Sequence, residues 1–127
     1  MTCPVKAARA IGDRDPEIAR LCSAWNAATR GSDEEAAIEK ALRAAVSMQT
    51  TTYNFGVADR FGRAIGAHVS TWTGGGIFFA HAVATRRGVQ YGASQQIREF
   101  DTAERRDAWH KRYVASAERR AQNWWGR

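Results

Sequence analysis

The chain has 127 residues, 44% of them hydrophobic and 25% charged, enough for a single domain to bury a core without metal or disulfide staples. No apolar run approaches the length of a bilayer span, and the opening MTCPVKAARAIGDRD lacks the apolar stretch of a secretion signal, so no membrane partner and a cytoplasmic address are expected. The formal net charge is +6; sixteen of the nineteen basic residues are arginine, and Thr102 to Arg127 alone holds seven basic and three acidic side chains.

Residues 1–14 read as an irregular segment at the start of a single domain spanning 1–127. Asp15-Pro16 supplies an N-cap followed by proline at the first helical position. Ile18, Leu21, Cys22, Trp25 and Ala28 then recur at helical spacing, and Gly31 stops the helix. Ser32-Asp33-Glu34-Glu35 is a capping box that opens a second helix with Ile38, Ala41, Leu42 and Ala45 on its apolar face. Cys3 and Cys22 have no metal-type spacing and are expected as free thiols.

Beyond Thr52 the period changes to two. Tyr53, Phe55 and Val57 alternate with Asn54 and Gly56 in a first strand. Asp59 to Arg63 is a turn, Ala64 to Trp72 a second strand, and Thr73 to Gly76 another turn. Ile77 to Thr85 is a third strand, Arg87-Gly88 a tight turn, and Val89 to Phe100 a fourth strand. Asp101 with Glu104 caps a final helix that runs to about Trp124. The order α-α-β-β-β-β-α with short links predicts an α+β fold: a four-stranded antiparallel meander with helices packed on one face.

Turn positions predict the register, and the register assigns faces. Centring the first hairpin on Phe61 pairs Phe55 with Ala67 and Asn54 with His68. Centring the second between Gly74 and Gly75 pairs Ala67 with Ala82 and His68 with His81. The Arg87-Gly88 turn pairs Ala82 with Ala93 and His81 with Ser94. One face then carries Tyr53, Phe55, Val57, Ile65, Ala67 and Val69, continued by Phe78, Ala80, Ala82 and Ala84, and is the core face. The other face presents His68, His81, Trp72, Phe79 and Arg98.

Three functional readings follow. The leading one is a small basic binding protein that recognises nucleic acid or a nucleoprotein complex. Trp72 and Phe79 would stack on bases, His68 and His81 would stack or donate, and Arg98, Arg86 and Arg87 would meet phosphate. On the final helix Arg105, Arg112 and Arg119 recur every seven residues and would follow a phosphate backbone or an acidic protein surface. Trp109, Tyr113, Ala117 and Trp124 form its core stripe, which leaves Trp125 for a partner. The alternative is an inhibitor or adaptor of the phage or mobile-element type, bound to a host nucleoprotein complex through protein contacts. The open sheet face would also suit a homo-oligomer.

A catalytic reading rests on His68 and His81 as general base and acid of a two-histidine phosphodiesterase. His68-Val69-Ser70 matches half of a paired His-x-Ser/Thr pattern, but Val83 breaks the second half. No cofactor and no metal site are expected, because the two imidazoles lack a third ligand. The balance favours a binding protein over an enzyme.

Overall fold

The computed structural model describes residues 3–92 and 96–126. Among the described residues it is an α+β fold with four α-helices and an antiparallel sheet. The chain divides into two compact units, Met1–Met48 with Trp72–Ile77, and Gln49–Thr71 with Phe78–Arg127.

The first unit is helical. The N-terminal stretch expected to be irregular forms helix α1, Lys6–Ile11, and a 3-10 turn, Gly12–Arg14. Cys3, Val5, Ala7, Ala8 and Ile11 are all buried. Alanine and isoleucine in this short run supply a small apolar face, and packing against α2 and α3 holds a helix too short to persist alone. Helix α2 spans Pro16–Ala27, with the Asp15 carboxylate accepting from the N–H groups of Glu17 and Ile18. Helix α3 spans Asp33–Val46, and the Ser32 hydroxyl accepts from the Glu35 N–H. Ile18, Leu21, Cys22, Leu42 and Val46 fill the space between them. The Glu35 side chain turns away to pair with Arg30 at 2.9 Å, so only half of the expected capping box forms.

Gly74–Gly75–Gly76 also belongs to this unit, under two different constraints. Gly75 and Gly76 have φ of +59° and +76°, the pair of positive values that a two-residue type I′ hairpin turn requires. A Cβ on Gly74 would stand 2.4 Å from the Cδ1 of Ile11, so that position is kept bare by close packing.

The second unit holds the sheet. Strand β1, Gln49–Ala58, pairs with β2, Ala64–Gly74, which pairs with β3, Ile77–Arg86. At the first hairpin Ala58 faces Ala64, as a loop centred on Phe61 requires. Farther along, Tyr53 faces Ala67 and Asn54 faces Gly66, two residues out of the expected register. Gly56 takes φ +73° and its N–H is held by the Asn54 side chain, forming an irregularity that inserts two residues into β1. An even slip preserves faces. Phe55, Ala67 and Ala121 therefore form a buried cluster with Tyr53, Val57 and Ile65 on the expected core side.

The fourth strand is not continuous. Strand β4 is only Val89–Gln90, joined to β3 by the expected Arg87–Gly88 turn, and β5 is Arg98–Phe100. An unbroken ladder would put Ile97 beside Phe78; instead Phe100 faces Phe78 and Arg98 faces Ala80. The expected partners Ala93 and Ser94 lie outside the described residues. Helix α4, Ala103–Trp125, packs against β1 and β5. Its N-cap is Thr102, one residue later than expected, and Asp101 pairs instead with Arg105 at 3.4 Å. Among the described residues no helix is long and apolar enough to cross a membrane.

Candidate functional site

The histidine row comes first, because the sheet register decides it. With the turn at Gly75–Gly76, the second hairpin is centred one residue later than expected. The same count holds at its far end, where the Arg87 N–H donates to the Ala64 carbonyl at 2.9 Å. It also places the Thr85 hydroxyl 3.1 Å from a Cβ built on Gly66. In this register His68 lies across from Val83 and His81 across from Ser70, so the two imidazoles share a face but are offset along it. The His68 Nδ1 lies 3.1 Å from the Thr52 hydroxyl and its Nε2 lies 2.9 Å from the Gly88 carbonyl oxygen. A carbonyl only accepts, so Nε2 carries a proton and donates it to Gly88, while Nδ1 shares a hydrogen bond with the Thr52 hydroxyl. Both ring nitrogens are engaged in joining β1 to the β3–β4 turn.

The aromatics expected on the open face are not presented to solvent. Trp72 is 4% exposed and Phe79 is fully buried, so neither offers a ring face for stacking or for a second copy of the chain. Their large apolar area found cover, which hydrocarbon of that size does whenever packing allows. The break in the fourth strand moves Arg98 as well. Facing Ala80, it stands on the side of the sheet that carries the core cluster and is exposed there, away from the histidine row.

Helix α4 keeps its arginine line. Arg105, Arg112 and Arg119 are all exposed. At about 100° per residue, a seven-residue step drifts only about 20° around the helix, so the three share one flank about 10 Å apart. Arg105 pairs with Asp101. Arg112 and Arg119 make no hydrogen bond or ion pair among the described residues. The acidic residues of the helix, Glu104, Asp107 and Glu118, fall roughly 80–140° away on the opposite flank. Arg106, next to the line, is not part of it: its guanidinium lies 5.5 Å from the Phe78 ring and pairs with Asp107.

The inward stripe of α4 is Trp109, Tyr113, Ala117, Ala121 and Trp125, with His110 and Val114 beside it; Ala121 is buried and the others are half-buried. The terminal tryptophans therefore exchange their expected places. Trp125 packs into the core cluster, while Trp124 is 76% exposed. His110 lies 2.8 Å from the Tyr53 hydroxyl, and burial holds its pKa below the ordinary imidazole range. In the first unit the Cys3 and Cys22 sulfurs lie 2.9 Å apart as buried free thiols. Burial and the Cys3 contact push Cys22 up to about 12, so it is a poor nucleophile.

A second surface gathers residues that the sequence pattern did not single out as a group. In the Asp59–Arg63 turn the buried Asp59 Oδ1 accepts from the Phe61 and Arg63 N–H groups, and Oδ2 accepts from Arg63 Nε at 2.7 Å. Burial raises this carboxyl, but the bonds from Arg63 and Phe61 outweigh it and the net shift is downward. The turn holds Phe61 exposed between two guanidiniums, with Arg60 and Arg63 each 5.0 Å from its ring. Arg86, at the end of β3, stacks on Tyr91 at 3.5 Å and lies 5.3 Å from Trp125. The signal available in the sequence was Arg60-Phe61-Gly62-Arg63, an aromatic between arginines in a tight turn, where no core face can claim it.

Arg87 is exposed at the β3–β4 turn with φ +53°. Among the described residues no three His, Cys, Asp or Glu side chains converge as a metal site would need. Comparison with protein-family models, curated proteins and solved structures finds no match to the chain.

Proposed function

We propose that the chain binds nucleic acid through the arginine flank of α4, in a contact directed at phosphate and indifferent to sequence. The observation that carries this reading is the line Arg105, Arg112 and Arg119. All three are exposed on one flank, two of them make no ion pair among the described residues, and the acids of the same helix are turned away. Guanidinium is the side chain whose planar fork fits phosphate, and a basic chain gains by releasing counterions from a polyanion. The buried Trp72 and Phe79 take no part, and the reading places no base-specific contact on the histidine row.

The test is a salt series on fluorescent oligonucleotides of several sequences. Affinity should fall steeply with salt. Arg112→Glu and Arg119→Glu should each weaken every sequence several-fold, with the salt slope reduced by about one or slightly more. Binding that ignores salt, or variants that bind like the parent, would overturn the α4 phosphate contact, and no binding at all would remove nucleic acid as the partner and favour a protein surface.

A further inference from the structure

Two basins in the second unit meet at Arg86, Tyr91 and Trp125. The first, about 210 Å³, lies over Ile65 and Ala117 and is walled by Tyr113 and Trp124. The second, about 350 Å³, opens onto Arg60, Phe61 and Arg63. Joined, they reach the scale of small-ligand sites, about 300–1,000 Å³.

The two basins differ in chemistry. The first has flat aromatic walls and an aliphatic floor, suited to a planar ring. The second holds three guanidiniums and one carboxylate, Asp59, whose two oxygens already accept three hydrogen bonds. Arg86 Nε, 3.7 Å from that carboxylate, is shielded from solvent and has no hydrogen-bond partner among the described residues. The second basin therefore has an excess of positive charge, which an anion with several oxygens would neutralise. A planar ring joined to such an anion fits both compartments at once.

We propose that this cleft binds a nucleoside 5′-phosphate unit, free or as an unpaired residue of a strand. The base lies against Trp124, Trp125 and Tyr113, and the phosphate meets Arg60, Arg63 and Arg86. Continuity favours a nucleotide over an acidic aromatic peptide. Arg120, which lines the first basin, sits about 90° around α4 from the Arg112–Arg119 line, with Ser116 between them. A strand leaving the cleft past Arg120 would run toward the arginine flank. Only this strand form rests on the reading of α4 as a phosphate track; the free-nucleotide form stands without it.

The experiment titrates the full chain with adenosine 5′-monophosphate, adenosine, inorganic phosphate and phosphotyrosine, following tryptophan fluorescence. A 5′-phosphorylated single-stranded oligonucleotide and its duplex are then compared. Arg60→Gln and Trp124→Ala are the variants, because both side chains are exposed and their loss leaves the core intact. The nucleotide is expected to saturate and to bind at least tenfold more tightly than adenosine or phosphate alone. Each variant should lose at least tenfold, and the single strand should outcompete the duplex. Saturable nucleotide binding with no preference for the single strand confines the site to free nucleotides. Nucleotide binding in a chain that fails to bind polymers would sink the α4 reading and leave the cleft standing. Adenosine binding as tightly as its phosphate, phosphotyrosine binding more tightly than either, or variants equal to the parent would overturn the proposal.

Discussion

His110 shows how one buried contact couples folding to proton concentration. Its ring lies edge-on to Tyr53, with centroids 5.8 Å apart, and bonds to the phenol. Burial favours the neutral ring, Asp107 works against that and Arg106 works with it, and the net pKa is lowered. The unfolded chain therefore binds the proton at a higher pH than the folded one. The stabilisation is complete above the ordinary imidazole value and is lost as pH falls through the lower folded value. The thermal midpoint should hold from about pH 8 to pH 7 and decline toward about pH 5.5. His110→Gln keeps a side chain able to bond Tyr53 and should flatten that slope. Equal pH profiles for the two proteins would mean that another group carries the proton. No sequence pattern announces this pair, because Tyr53 and His110 are brought together only when α4 lies on the sheet.

Within α4 the adjacent tryptophans pose a choice that periodicity leaves open. Measured from the Ala117–Ala121 line, Trp124 and Trp125 fall on either side of the apolar arc by comparable angles of about 40–60°. Trp125 wins because Arg86 and the Phe55–Ala67 cluster meet it there. Trp125→Ala should lower stability by about 2–3 kcal/mol, as loss of a large, partly buried ring does. Trp124→Ala should change stability by less than about 0.5 kcal/mol while acting on ligand binding. Chemical denaturation of the two variants separates them, and a reversed order would put the wrong indole in the core. The strands carry a similar lesson. A slip of two residues in β1 left every face as the alternation predicted. The three-residue offset between β4 and β5 moved Arg98 to the other side, because side chains alternate with a period of two.

At the scale of the whole molecule, fold and charge are separable. The second unit buries Phe55, Ala67 and Ala121, whereas the α4 arginine line is exposed and contributes little to that core. Reversing Arg105, Arg112 and Arg119 to glutamate changes the charge by two at each position and brings the formal net charge of +6 to zero. The triple variant should keep the parent's circular dichroism spectrum and thermal midpoint to within a few degrees. Retention on an immobilised polyanion should be abolished. Loss of the folded signal would mean that this flank supports structure, contrary to its exposure.

The helices α2, α3 and α4, the positions of the first and third hairpin turns and the apolar face of the sheet follow from local chemistry. Caps, glycines, and apolar periods of 3.6 and two act over a few residues and are written in the chain. The arginine flank is legible for the same reason, since seven-residue spacing on a helix fixes an angle. What the tertiary structure alone decided is which large apolar side chains stay uncovered. Trp72 and Phe79 looked available and are buried, while Phe61, Tyr91 and Trp124 remain outside, gathered with arginines from separate hairpins and the end of α4. Burial depends on what arrives from distant parts of the chain, and a period reports only the neighbours along it.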